Sequence, residues 1–138
     1  MYVFRLILST PLFAFLLIAF NVVTFSGDKD PLVTLNRVIY DFDLSSGAHV
    51  ALTVSHVFIL VGIVFLYVEI LKATRPSVLA IVDHGLSMLV FVLFLVEFIA
   101  VAEVGNSTFL ILTMLTLTDV IAGFTVSIST ARRDISLQ

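Results

Sequence analysis

With 138 residues, 60% of them hydrophobic and 12% charged, and a mean hydropathy of +1.20, the chain carries more apolar surface than a water-soluble core of that size can hide. These values exclude a soluble or disordered domain and call for an integral membrane protein. The lack of cysteine excludes disulfides, thiolate metal sites and thiol chemistry, and a net charge of −3 offers no basic surface to nucleic acid.

Four apolar runs, Phe4–Phe25, Ser55–Ala73, Val78–Ala102 and Thr108–Thr130, each approach the length of about 20 residues that a spanning helix requires. The reading is an all-α membrane protein, a four-helix antiparallel bundle in one domain (1–138), with helices at about 4–25, 55–73, 78–102 and 108–130 and an external segment at 26–54. The first run follows Arg5 and is longer than the apolar core of a secretory signal, so it reads as an uncleaved anchor. With both termini on one side, Arg5, Lys72, Arg75, Arg132 and Arg133 share a face, against Lys29 and Arg37 on the other. That asymmetry places both termini in the cytoplasm.

In the first run, Pro11 sits one to two turns inside the span and invites a kink. Ser26-Gly27-Asp28-Lys29-Asp30-Pro31 then ends the helix in turn-forming residues. Two structures suit the segment that follows. Val38, Tyr40, Phe42 and Leu44 alternate with Ile39, Asp41 and Asp43, and after Ser45-Ser46-Gly47-Ala48 a run rich in valine and threonine begins at His49, which favours a short β-hairpin. Leu32, Leu35, Val38, Ile39 and Phe42 also fit the spacing of an amphipathic helix lying on the membrane.

Ser55 is placed to cap the second helix, which ends at the tight Lys72–Ser77 turn; so short a connection makes the second and third helices antiparallel neighbours. Gly105-Asn106-Ser107 joins the third and fourth in the same way, with Ser107 as the expected N-cap. Asn106-Ser107-Thr108 matches a glycosylation acceptor, but it abuts the membrane at a helix start.

The ionisable residues inside these runs are the candidate functional groups, because charge at membrane depth is expensive and seldom faces lipid. Counting from the Lys72–Ser77 turn, His56 (about 17 residues before it) and Glu97 (about 20 after it) fall in one outer layer. Asp83 and His84 fall in an inner layer with Glu69, within snorkelling reach of Lys72 and Arg75. Asp83, Ser87, Val90, Phe94 and Glu97 form one stripe on the third helix. Thr116, Asp119, Gly123, Ser127 and Thr130 form another on the fourth, where Gly123 and Ser127 are a small-xxx-small pair that permits close helix approach.

If both stripes face inward, Glu97, Asp119 and Asp83 make a ladder at outer, middle and inner depth. Acids at successive depths build proton relays; the plainer account is that these groups bond across helices to fix packing. A haem between His56 and His84 is disfavoured, since they differ in depth by roughly 15 Å. No metal site is expected, unless His49 and His56 curl together at the outer mouth, and no cofactor. No nucleophile–base pair, phosphate loop or dinucleotide fingerprint is present.

Glu69-Ile70-Leu71-Lys72-Ala73-Thr74-Arg75, Asp83-His84-Gly85-Leu86-Ser87-Met88-Leu89, Asp119-Val120-Ile121-Ala122-Gly123-Phe124 and Ala131-Arg132-Arg133-Asp134 resemble, over roughly the last 70 residues, a small uncharacterised family of four-helix bacterial inner-membrane proteins. The resemblance implies a bacterial cytoplasmic membrane and supplies no activity. The expected role is non-enzymatic: an accessory or scaffolding subunit in the lipid bilayer, as a homo-oligomer or part of a larger membrane complex. A proton-coupled transporter or relay using Asp119, Glu97 and Asp83 is the alternative.

Overall fold

The computed structural model describes residues 10–27, 30–74 and 78–136, the side chains of residues 78–81, 127 and 130–136 excepted. In chain order the elements are α1 (Leu12–Ser26), α2 (Pro31–Leu35), β1 (Val38–Asp43), β2 (His49–Thr53), α3 (Val54–Ala73), α4 (Val78–Ala100), a 3-10 turn (Ala102–Val104) and α5 (Ser107–Ser136). Among the described residues, three stretches are long and apolar enough to cross a membrane: Val54–Ala73, Val82–Ala100 and Ser107–Val126. α1 is apolar but has 15 residues, about 22 Å at 1.5 Å per residue, short of a hydrocarbon core of about 30 Å.

Pro11 opens α1, and a kink at that position would involve residues before Thr10, which lie outside the described residues. Its extended backbone (φ −62°, ψ 125°) is the N-cap of α1, and a proline at a helix start gives up an amide that the helix would not have used. Arg5 and the first residues of the expected first span lie outside the described residues.

The external segment is the hairpin rather than the interfacial helix. β1 and β2 pair antiparallel, with Tyr40 opposite Leu52, Phe42 opposite Val50 and Asp43 opposite His49. Gly47 closes the turn at φ 83°, where its amide donates to the Leu44 carbonyl (2.8 Å) while the Leu44 amide donates to Ala48 (2.9 Å). Only glycine adopts that left-handed angle without a Cβ penalty. The helical spacing of Leu32 and Leu35 is spent in one short turn, α2, capped by the Asp30 carboxylate on the Leu32 amide.

The cap residues shift from the expected ones. α3 begins after Thr53, not Ser55, because Thr53 and His56 form a reciprocal capping box. α5 is capped by Asn106, whose side-chain oxygen accepts from the Phe109 amide (3.1 Å), and not by Ser107. Ser55 instead accepts a hydrogen bond from Thr108 across the α3–α5 contact (3.0 Å).

The seam of the bundle is α5. α3 and α4, expected from their short connection to be close neighbours, meet only lightly, and α5 packs extensively against both. Small residues explain the choice. A Cβ on Gly62 of α3 would lie 2.9 Å from a Leu115 methyl and 3.1 Å from one of Leu112; a Cβ on Gly123 of α5 would lie 2.6 Å from the His84 ring of α4. Close approach of this kind drives helix association where lipid removes the hydrophobic incentive. Phe20, Phe58, Phe94 and Phe109 fill the interior, with ring centroids 5.0 to 5.2 Å apart along the chain of contacts Phe58–Phe20–Phe109–Phe94.

Candidate functional site

α3 ends with Glu69 and Lys72 one turn apart, so both side chains reach the same side of the helix. α4 begins beside them, and its first buried polar residue is Asp83. The Lys72 ammonium lies 2.8 Å from Glu69 Oε2 and 3.1 Å from Asp83 Oδ2, and also donates to the Thr10 carbonyl (3.3 Å). Glu69 turns its other oxygen to the Leu12 amide (2.6 Å), the first of α1. A carboxylate at that point satisfies an orphan N–H and faces the positive end of the helix dipole.

The stripe of α4 continues one turn further to Ser87, which lies beside the Asp119 carboxyl of α5. Asp119 is close enough to Glu69, Asp83 and Lys72 to interact with each electrostatically. Glu69, Asp83, Ser87 and Asp119 are all at least nine-tenths buried. The cluster therefore joins α3, α4 and α5 and the start of α1 through one ammonium and three carboxyl groups. Removing one partner from a buried charge set of this type leaves an uncompensated charge and is strongly destabilising.

The other sequence candidates go elsewhere. His56 is exposed; its Nδ1 accepts from the Thr53 amide and its own amide donates to the Thr53 hydroxyl, so it serves as a cap and does not pair with Glu97. Among the described residues the Glu97 carboxylate has no hydrogen bond or ion pair. His84 turns away from these acids and lies over Gly123, stacked 6.3 Å from Phe124, its Nε2 buried with no hydrogen-bond partner among the described residues. Its neighbour Asp83 is about 100° away around the helix, which separates the two side chains. His49 binds Asp43 (2.8 Å) on the hairpin, so it and His56 are each held apart from a shared ion. Among the described residues no three His, Asp or Glu side chains are arranged to hold a metal. Arg75, and the side chains of Ser127, Arg132 and Arg133, lie outside the described residues.

Asp83, Ser87, Val90 and Phe94 of one stripe and Thr116 and Asp119 of the other face inward as their spacing implies, but among the described residues they do not form a continuous polar ladder. Between Ser87 and Glu97 the α4 stripe is Val90 and Phe94, with Phe94 fully buried against the Phe109 ring. On α5, the Thr113 and Thr116 hydroxyls donate to their own helix, to the Phe109 and Thr113 carbonyls (2.8 and 2.7 Å). The part of the cluster not legible beforehand was its hold on α1. The signal was Pro11: a helix opened by proline next to polar Thr10 leaves backbone groups that a nearby charge can bind.

The chain is thus a mostly helical protein with three helices long and apolar enough to cross a membrane, a small two-stranded hairpin and a buried ion cluster at one end. No family model, no curated protein and no solved structure matches it.

Proposed function

We propose that the chain is a four-helix protein of a bacterial cytoplasmic membrane, both termini cytoplasmic, the run Phe4–Phe25 being the fourth span. It acts as a non-enzymatic accessory or scaffolding subunit of a membrane assembly. The observation that carries this reading is the closed interior: the buried polar groups tie helices to one another, and Phe94 and Phe109 separate them from Glu97. The outward faces support it as well. Only 17%, 22% and 33% of the three spans is buried within the chain, which leaves apolar surface on every helix for lipid or a protein neighbour. In mild detergent the native protein is expected to run as an assembly larger than one 15.2 kDa chain. A strictly monomeric species, by native mass in detergent and by crosslinking in membranes, removes the scaffolding role.

One observation favours a second reading, a proton relay: three buried carboxyl groups share a single lysine, so the cluster has acids to spare for a proton. Proton flux in liposomes lost on Asp119→Asn would decide for it.

A further inference from the structure

We propose that the outer rim of the bundle holds a phospholipid headgroup, with Arg37 binding its phosphate. A groove of about 900 Å³ opens between the end of α1 and α2, lined by Ser26, Leu32, Val33, Asn36 and Arg37 among others. The backbone ties this groove to the start of the apolar stretch Val54–Ala73. The Arg37 carbonyl accepts from the amide of Val54 (3.1 Å), the first residue of α3 and of its apolar span. Arg37 therefore stands at the boundary where hydrocarbon gives way to headgroups.

The chemistry of the lining matches what that layer contains. Among the described residues no carboxylate pairs with the Arg37 guanidinium. Ser26 and Asn36, neutral residues that can donate hydrogen bonds, line the same groove. A planar guanidinium with such neighbours suits a phosphate oxygen pair. Leu32 and Val33 line the groove as well and are 49% and 57% exposed, apolar surface that an acyl chain covers and a free phosphate does not.

Charge narrows the class further. Asp30, Asp41 and Asp43 are exposed on the same external segment, so a surface dense in anionic lipid is repelled while a single phosphodiester is accepted. The occupant is a zwitterionic phospholipid.

The test uses the full chain in detergent micelles, with bound lipid read by native mass spectrometry. Titrants are phosphatidylethanolamine, diacylglycerol with the same tails, and inorganic phosphate, on native protein and on Arg37→Gln. Phosphatidylethanolamine is expected to bind the native chain, with affinity reduced roughly tenfold or more by the substitution, as loss of a charge-assisted contact predicts. Diacylglycerol is expected to bind no better than it binds Arg37→Gln, and millimolar phosphate is expected to leave the lipid in place. Equal lipid binding by native and variant, or equal binding of diacylglycerol, overturns the site. Displacement by inorganic phosphate overturns the lipid assignment in favour of a free phosphate ion. Arg37 is exposed and its side chain supports no other described residue, so the variant is expected to fold.

Discussion

At the end of the bundle where α3 finishes, Lys72 binds Glu69, Asp83 and the backbone of Thr10, and the two carboxylates it pairs are 2% and 9% exposed. At the hairpin end, His49 binds Asp43 with both side chains largely in solvent, and Thr53 and His56 cap α3 at an exposed corner. The residue types are nearly the same; the surroundings differ. Exposed pairs are screened and contribute little, whereas a buried set holds its geometry tightly because each member left alone would be an unpaired charge. The Lys72 end is therefore the rigid joint of the molecule, and the hairpin end is a set of local devices that finish individual elements.

That contrast can be broken most directly at Lys72. Lys72→Met leaves Glu69, Asp83 and Asp119 without their cation and is expected to destabilise the protein by about 3–5 kcal/mol, seen as lost accumulation or a lowered unfolding midpoint in detergent. Adding Asp83→Asn to the same variant is expected to recover part of the loss, since it removes one of the stranded charges. At the other end, Thr53→Ala deletes the cap on α3 and is expected to destabilise by about 1 kcal/mol, measured by the same unfolding midpoint. A comparable loss from both substitutions would erase the distinction between joint and rim.

How much of this could be read beforehand depends on the range of the interaction. The membrane class, the spans after the hairpin, and the inward stripe of Asp83, Ser87, Val90 and Phe94 follow from local composition and period, and all four residues are buried. The hairpin was legible because Gly47 marks its turn. The expected pairing of His56 with Glu97 failed, because depth counting places residues at a level but not around a helix axis; a capping box with Thr53 holds the imidazole instead. α5 became the seam because glycines at positions 62 and 123 let it approach both neighbours, a consequence of size that the charge pattern hides. Asp119 joins Glu69 and Asp83 because Ser87, one turn along α4 from Asp83, meets it from the facing helix.

The central claim is that the buried acids join helices and do not carry protons across. The most direct test is proton flux under an imposed pH gradient in liposomes of purified protein, comparing the native chain with Asp119→Asn. The account predicts no flux above protein-free liposomes for either. Flux through the native protein that Asp119→Asn abolishes would contradict it and turn the cluster from a joint into a path.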